Sequence, residues 1–154
     1  MTNIAVQSKS VIPTVADIKK LISVAKDIEQ LPMPLKHHHS ENSYVREIFM
    51  ARGMVVIGKK HATRHLNIVV SGECLVWTVH GKHHIKVTNG MPVTFESMAG
   101  VQKVLYMISD VVWMTVHPTS ETNEEALEGI FITSEMQGEL FPELDEIPLI
   151  GEDK

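Results

Sequence analysis

The stretch that decides the fold is residues 53–72, GMVVIGKKHATRHLNIVVSG. An apolar β-branched run comes first, a short polar cluster with His61 and His65 follows, and a second apolar run leads to Ser71 and Gly72. Runs rich in Val and Ile that end at Gly or Ser are typical of strands. The pattern predicts two strands that meet at a tight corner, which brings two imidazoles, two lysines and an arginine close together.

The chain around this corner continues the same pattern. From Tyr44 to Pro118, short apolar runs alternate with turn signals such as Ser-Gly and Asn-Gly. Helical periodicity is absent between them, so the fold class is all-β. About eight short strands at this spacing indicate a sandwich or barrel, because βαβ units would need helices between the strands. We predict strands over residues 44–50, 54–58, 65–70, 74–79, 83–88, 93–95, 103–108 and 111–116.

The segment before the strands is predicted to contain one helix. After ten polar residues, which we expect to be loose, apolar residues recur at three- and four-residue steps and form one helical face. Thr14 caps the start of this helix, and Pro32 and Pro34 end it. The helix is expected to pack on the outside of the main domain. Its apolar face consists of Ile18, Leu21, Ile22, Ala25, Ile28 and Leu31.

The segment after the strands is predicted to begin with a short helix. Thr122 caps the sequence NEEALEGIF, whose acidic first turn suits the positive end of the helix dipole. Residues 138–154 are acidic and contain proline, and we expect them to form a flexible tail. The chain therefore divides into an N-terminal helical segment (1–40), a barrel (41–119), and a C-terminal helix with its tail (120–154).

The composition excludes several classes of protein. A chain of 154 residues fits one domain with a single core. The net charge of −5 argues against nucleic-acid binding by bulk electrostatics. No apolar run is long enough to span a membrane, and the first ten residues lack the apolar stretch of a signal peptide. A single cysteine, Cys74, suits a reducing compartment, so we expect a cytoplasmic protein.

One predicted strand indicates a partner. In LNIVV, Leu66, Ile68 and Val70 lie on one side, and the alternate residues lie on the other. A solvated face would be polar, so we expect this outer face to be covered by the N-terminal helix or by a second subunit. A homodimer is the economical hypothesis.

Three consecutive histidines, His37, His38 and His39, precede the strands. Histidine is a common metal ligand, but adjacent side chains rarely converge on one ion. We therefore expect this run to form a solvated loop near the site.

The corner resembles the first motif of the cupin superfamily, whose members are small jelly-roll barrels. That motif is G-x5-H-x-H-x3-E-x6-G. Its spacing is matched at every position by Gly53, Lys59, His61, His65 and Gly72, with lysine in place of the first histidine and histidine in place of the glutamate. The resemblance implies a single cupin barrel with its site at the barrel mouth.

The second cupin motif, G-x5-P-x-G-x2-H-x3-N, is matched only in part. Gly100 stands at its inner glycine, Lys103 at its histidine and Met107 at its asparagine, while Pro92 and Met98 replace the leading glycine and the proline. Residues 44–119 also resemble small cupin-like proteins of tailed bacteriophages, in which a core similar to GKxHxTxHLNI and DxVWxTxHPT recurs. That resemblance implies a protein of the host cytoplasm.

The resemblance also supplies a metal hypothesis. In metal-binding cupins the four matched positions hold one divalent ion, and here they are Lys59, His61, His65 and Lys103. A protonated lysine is a poor ligand, since its usual pKa is near 10.4. His117 offers a third imidazole beside His61 and His65, which together would make a site for one divalent ion. Such a site would suit a metal-dependent dioxygenase or isomerase.

The competing hypothesis is a site for an anion. Lys59, Arg64 and Lys103 would form a cationic pocket with His61 and His65, which suits a carboxylate, phosphate or nucleotide-like ligand. The remaining candidates for ligand contact are Asn67, Tyr106, Trp113 and Thr115; Trp113 would form a stacking floor and Thr115 a hydrogen-bonding wall if their strand faces inward.

Three functions stay open at this point. The first is a binding protein that captures a small anion without chemistry. The second is an enzyme, either metal-dependent or similar to the metal-free cupins that epimerise nucleotide-linked sugars, with His61 and His65 as catalytic groups. The third is a phage structural or interaction protein whose site is vestigial. Fold alone does not choose between them.

Overall fold

The computed structural model of the chain describes residues 4–7, 15–24, 31–78 and 81–131. Within these residues it contains ten strands and two helices. The strands are β1 (Ile4–Gln7), β2 (Leu35–Ser40), β3 (Ser43–Met50), β4 (Met54–Ile57), β5 (His65–Ser71), β6 (Glu73–Thr78), β7 (Gly81–Lys86), β8 (Val93–Ser97), β9 (Val104–Met107) and β10 (Val111–His117); the helices are α1 (Val15–Val24) and α2 (Glu124–Phe131).

The strands form two five-stranded antiparallel sheets. The first sheet has the order β1-β4-β9-β6-β7, and the second has the order β2-β3-β10-β5-β8. From β3 onward the pairs are nested: β3 pairs with β10, β4 with β9, β5 with β8, and β6 with β7. Nested antiparallel pairs divided between two sheets are the arrangement of an eight-stranded jelly roll. The prediction of an all-β barrel is confirmed.

The N-terminal segment differs from its prediction. Residues 1–10 are predicted to be loose, which is wrong for Ile4–Gln7, because these residues form β1 and pair with Met54–Ile57. This pairing satisfies backbone N–H and C=O groups that would otherwise be exposed on the edge of β4. The predicted helix appears as α1 over Val15–Val24, but Leu31 is not helical, and residues 25–30 and the tail at 138–154 lie outside the described residues.

The histidine run also differs from its prediction. His37, His38 and His39 are part of β2 and pair with residues of β3, so the predicted loop is wrong. His37 Nδ1 and the Tyr44 hydroxyl are hydrogen-bonded at 2.7 Å, and His38 Nε2 lies 2.7 Å from Glu47 Oε2. These side-chain contacts across the strand pair stabilise β2 at the edge of the second sheet. Because neighbouring strand residues point to opposite faces, the three imidazoles do not converge.

An apolar cluster, which we call the floor, fills one end of the barrel. Alternate residues of facing strands point into it, and most of its members are less than a tenth exposed. Close packing of this kind gives the domain most of its stability. The floor consists of Ile48, Met50, Met54, Val56, Val69, Cys74, Val76, Ile85, Leu105, Met107, Val111 and Trp113.

The outer faces of the two sheets differ in burial. On the first sheet, outward residues such as Ile57, Trp77 and Val104 are fully buried within a single chain. On the second sheet, Phe49 and Leu66 are 37% and 39% exposed. Among the described residues of the two sheets, Phe49 and Leu66 thus leave apolar surface exposed on the outer face of the second sheet. Neither described helix has the length and apolar character needed to cross a membrane.

Candidate functional site

Three histidines meet at the end of the barrel opposite the floor, which we call the mouth. The ring centroids of His61 and His65 lie 4.1 Å apart, those of His65 and His117 5.1 Å, and those of His61 and His117 5.4 Å. His61 precedes the bend at the corner, His65 begins β5, and His117 ends β10. The corner thus brings His61 and His65 together, as the spacing predicts.

Backbone hydrogen bonds hold the corner in place. Gly100 N donates to the His61 carbonyl at 2.8 Å, and Ala62 N donates to the Phe131 carbonyl at 2.7 Å. His65 Nδ1 donates to the Thr63 carbonyl at 3.0 Å, because a carbonyl can only accept. In neutral His65 the free lone pair is therefore on Nε2.

Helix α2 closes one side of the mouth. Phe131, its last residue, stacks on His117 with ring centroids 4.2 Å apart. The ring of Tyr44 stacks with both of these rings. The predicted cap at Thr122 is wrong: Asn123 caps the helix, since its Oδ1 accepts from Ala126 N at 3.0 Å. The predicted C-terminal helix therefore belongs to the site, which its sequence alone does not reveal.

The mouth contains an inner cavity and an outer cleft. The inner cavity measures about 70 Å³ and lies inside the barrel above the floor. The outer cleft measures about 360 Å³ and lies between β2, β3 and α2. Four residues line both spaces: Arg46, Ile48, Lys59 and His61. The inner cavity is further lined by Met50, Val56, Gly58, His65, Asn67, Lys103, Leu105, Trp113 and Thr115.

Arg46 is the cation that joins the two spaces. It lies on β3, paired with His37 of β2 and Thr115 of β10, and lines both the inner cavity and the outer cleft. Burial lowers the pKa of its guanidinium, and the nearby Tyr44 and Glu128 act in the opposite direction. Within the described residues, no carboxylate lies within ion-pair distance of this guanidinium.

Lys103 is the second cation of the inner cavity. The residue is 9% exposed, and burial lowers the pKa of its amine to about 8. Among the residues that the structure describes, Lys103 has no carboxylate partner either. A buried ammonium without a counter-ion is costly, which is why its pKa moves towards the neutral form.

Lys59 has a different environment. It is 6% exposed and forms an ion pair with Glu128 of α2. This pair lowers the pKa of Glu128, with the hydrogen bond from Lys59 as the largest cause. Lys59 therefore lies in the site, and its charge is matched by the helix that closes the mouth.

The histidines of the mouth are neutral near pH 7. Burial lowers the pKa of His61 to about 2, and the charges of His65 and Lys103 act in the same direction. Burial also lowers the pKa of His117 to about 4. For His65, burial lowers the pKa and the hydrogen bond to Thr63 opposes it. Each neutral ring offers one N–H donor and one lone pair.

Several buried polar atoms of the mouth have no hydrogen-bond partner in the protein. They are His61 Nδ1, His65 Nε2, His117 Nδ1 and Thr115 Oγ1. Buried polar atoms are usually satisfied, so a group of such atoms in the mouth indicates a space suited to polar contents.

Asn67 and Trp113 form the boundary between the mouth and the floor. Asn67 Oδ1 accepts from Trp113 Nε1 at 3.1 Å, and Asn67 Nδ2 donates to Ser97 Oγ at 2.9 Å. Phe95 packs edge-on against Trp113 with ring centroids 5.5 Å apart. The strand of Trp113, Thr115 and His117 thus faces inward, and Asn67 acts mainly to hold Trp113 in place.

Two predicted site residues lie elsewhere. Arg64 is exposed and paired with Glu96, with 2.6 Å between Nη2 and Oε2. Tyr106 is buried on the other face of β9, opposite Val55 and Leu75. The reason is strand alternation: the neighbours of Tyr106 at 105 and 107 point into the barrel, so Tyr106 points out of it.

The sequence analysis did not identify Arg46, Glu128 or Phe131 as site residues. A signal for Arg46 exists in SYVREIFM, where it shares a face with the apolar Tyr44, Ile48 and Met50. A charged residue in the middle of an inward-facing apolar row indicates a site. The contribution of α2 depends on how the chain folds back over the barrel, which no local pattern encodes.

The residues of the mouth do not fit a bound metal ion. The predicted ligands His61, His65 and His117 come together, but in the described part of the chain no three His, Cys, Asp or Glu side chains form a group that could hold an ion. Lys59 and Lys103 line the same inner cavity, where ammonium groups would repel a dication. The donor set is cationic and neutral, which suits an anion.

Comparison with known proteins gives similarity at the level of fold. No protein-family model matches the chain, and no curated protein matches it. Among solved structures, an ethanolamine utilization protein Q from Salmonella typhimurium matches with a TM-score of 0.46 and 11% identity, over 58% of this chain and 71% of its own.

Two further structures are described as cupins. An RmlC-like cupin family protein with a double-stranded β-helix fold from Methanocaldococcus jannaschii has a TM-score of 0.46 and 14% identity, over 57% of this chain and 81% of its own. A protein with a cupin-2 domain from Shewanella frigidimarina has a TM-score of 0.44 and 13% identity, over 71% of this chain and 95% of its own. The solved structures similar to this chain therefore include cupin jelly rolls.

Proposed function

We propose that the protein binds a small anionic molecule, such as a carboxylate, a phosphate or a nucleotide-like compound, in the mouth of the barrel. The proposal rests on two cations, Arg46 and Lys103. Both line the inner cavity, and neither has a carboxylate partner within the described residues. An anion would supply the missing counter-charge.

The energetics favour this occupant. Burying a charge without a partner costs several kcal/mol in general, and a ligand of opposite charge recovers part of that cost when it binds. The guanidinium of Arg46 offers a planar fork that suits a carboxylate or phosphate. The unpartnered atoms of His61, His65 and Thr115 add hydrogen-bonding positions around the same cavity.

The sizes of the two spaces indicate how the ligand divides between them. The inner cavity of about 70 Å³ holds a few heavy atoms and suits the charged head group. The outer cleft of about 360 Å³ is within the range of small-molecule sites and suits the remainder of a larger ligand. Arg46 lies between the two and contacts both parts.

Binding is favoured over acid–base catalysis by the mouth histidines. An efficient general base has a pKa near the operating pH, but burial lowers the pKa of His61 to about 2 and that of His117 to about 4. A cavity of about 70 Å³ that is lined by Arg46, His61 and Lys103 argues against a phage interaction protein with a filled, vestigial barrel. We include in this proposal that the protein comes from a bacteriophage and acts in the host cytoplasm, and both points rest on the sequence resemblance.

Thermal unfolding with a panel of anions tests the proposal. We expect phosphate, small mono- and dicarboxylates or nucleotides to raise Tm, because a ligand at a hundred times its Kd stabilises the native state by about 2.7 kcal/mol. Arg46→Met should weaken binding by about tenfold or more, whereas Arg52→Met, at an exposed turn, should not. Equal anion binding by Arg46→Met, or a response to divalent metal and to no anion, would overturn the proposal.

We further propose that the protein is a homodimer that buries the outer face of the second sheet. Phe49, Leu66 and their neighbours Ile68, Val112 and Met114 form an apolar row across β3, β10 and β5. A row of this kind is typical of an interface. Sedimentation at micromolar concentration should give a dimer, and Leu66→Glu should give a folded monomer. A native chain that sediments as a monomer would contradict this proposal.

A further inference from the structure

We propose that Lys103 forms a reversible covalent bond with its ligand: its amine condenses with the carbonyl group of a small 2-oxo acid whose carboxylate is held by Arg46. The inference deepens the proposed function and rests on it, since it names the class of anion. It also assigns Lys103 a role that ordinary electrostatic binding does not require.

The position of Lys103 is fixed by its backbone. Gly58 N donates to the Lys103 carbonyl at 2.8 Å, and Gln102 Nε2 donates to the Gly58 carbonyl at 2.9 Å. The approach favours glycine, because a Cβ on Gly58 would lie 3.1 Å from the Lys103 carbonyl oxygen, which is tighter than most Cβ contacts. The stem of Lys103 is therefore held at the cavity wall, and its position does not depend on a mobile loop.

Lys103 differs from the other lysine of the cavity. Lys59 forms an ion pair with Glu128 of α2. Lys103 lacks a carboxylate partner among the described residues and shares the inner cavity with Arg46. Apolar residues such as Ile48, Leu105 and Trp113 also line this cavity, and desolvation in an apolar pocket is one of the environments that make a lysine amine nucleophilic. Its pKa of about 8 leaves a substantial neutral fraction at physiological pH.

The chemistry is balanced without an oxidant or a reductant. The lone pair of Lys103 Nζ attacks the carbonyl carbon, the nitrogen loses one of its two protons, and the carbonyl oxygen gains one, which gives a neutral carbinolamine. Loss of the hydroxyl group as water, with the nitrogen giving up its proton, forms the C=N bond of an imine. Solvent water at the mouth carries these protons, while the free ring nitrogens of His61 and His65, which line the same cavity, offer hydrogen bonds to the carbinolamine hydroxyl.

The size of the cavity selects the ligand class. A volume of about 70 Å³ holds several water-sized groups, which is the scale of a short 2-oxo acid. The carboxylate of such an acid suits Arg46, and the adjacent carbonyl then faces the same small space as Lys103. A longer 2-oxo acid would extend past Arg46 into the outer cleft.

Reductive trapping tests the inference on the full chain. The native protein is incubated with pyruvate or glyoxylate and cyanoborohydride, and the adduct is located by peptide mass spectrometry. We expect one adduct, on Lys103, that is suppressed by excess lactate, an anion without the carbonyl. Lys103→Arg should abolish it, Lys86→Arg at an exposed strand end should leave it unchanged, and Arg46→Met should reduce its rate at least tenfold.

The outcomes separate this inference from the proposed function. Mapping the adduct in the native protein needs no variant, so a Lys103→Arg chain that fails to fold does not prevent the test. An increase in Tm with pyruvate but no adduct on Lys103 would overturn the covalent step and leave anion binding in place. Adducts spread over exposed lysines, or equal labelling of Arg46→Met, would overturn the assignment to this cavity. No change in Tm with any anion would overturn both.

Discussion

The floor and the mouth of the barrel are built from the same strands but contain different chemistry. Strand β10 begins at Val111 in the floor and ends at His117 in the mouth, and β3 runs from Arg46 in the mouth to Met50 in the floor. The floor is closely packed and almost entirely apolar. The mouth contains buried cations, three neutral imidazoles and polar atoms without partners.

The floor therefore supplies most of the stability of the barrel, and the mouth supplies the proposed ligand site. Apolar burial in the floor favours folding, whereas each desolvated charge or unpartnered polar atom in the mouth opposes it. A fold gains nothing from such a mouth unless a ligand occupies it. We therefore predict that the loss of a side chain lowers the free energy of unfolding in the floor, and that the loss of a desolvated charge raises it in the mouth.

The largest expected effect is acid unfolding that originates in the mouth. In the unfolded chain His61 and His117 take up protons near pH 6.5, but in the native state their pKa values are about 2 and about 4. The unfolded state therefore binds more protons, so stability falls as the pH drops from 6.5 towards 4. The loss should be on the order of 5 kcal/mol, which is enough to unfold an ordinary domain.

Urea titrations at several pH values measure this loss. His117→Gln should flatten the pH dependence, while His83→Gln, at an exposed position, should leave it as it is. The same acid sensitivity in His117→Gln and the native chain would exclude His117 as a cause.

A truncation in the floor should have the next largest effect. Met107 is fully buried, and Met107→Ala leaves a cavity that should lower the free energy of unfolding by about 2–5 kcal/mol. Chemical denaturation measures the loss. Met91→Ala is the matched control, because Met91 is 71% exposed and its truncation should cost almost nothing. Equal stability of the two variants would show that the floor is not the source of stability.

The boundary between the two ends should give an intermediate effect. Asn67→Leu removes the acceptor for Trp113 Nε1 and the donor to Ser97, and should cost about 1–3 kcal/mol. Trp113→Phe in the same chain removes the orphaned N–H, so the double variant should be more stable than additivity predicts. Strict additivity in a denaturation cycle would mean that the two side chains do not interact.

The smallest expected effect has the opposite sign. Lys103→Met replaces a desolvated amine by an apolar side chain of similar length and should raise the free energy of unfolding at pH 7 by about 1 kcal/mol. The gain should shrink as the pH rises above 8, where the native amine loses its proton. Lys86→Met provides the exposed control. A destabilised Lys103→Met chain would show that the mouth supports the fold.

The sequence was informative where the pattern is local. The spacing of Gly53, His61, His65 and Gly72 predicts the corner, and strand alternation places Trp113 and the residues that follow it on one face. These features depend on neighbours in the chain, so they are present in the sequence.

The parts that the sequence did not predict depend on alternation across strands or on distant contacts. We predict Arg64 and Tyr106 as site residues, but Arg64, which precedes β5, pairs with Glu96, and strand alternation turns Tyr106 out of the barrel. Arg46 was missed because its strand precedes the corner. The pairing of Lys59 with Glu128 joins residues far apart in the chain, so only the folded structure reveals it.

The nested pairing of the strands has a consequence for how the protein forms. Tyr44, near the start of the barrel, pairs with His117, near its end, so the outermost ladder closes only after every other strand is present. Folding dominated by such distant pairings is slow, on the scale of milliseconds to seconds. During synthesis on the ribosome, β3 is made before β10. The edge of β3 that later pairs with β10, and the apolar face of β3, therefore stay uncovered until β10 has been made. Because His117 completes both the ladder and the histidine cluster, the proposed ligand site is the last part of the barrel to be assembled.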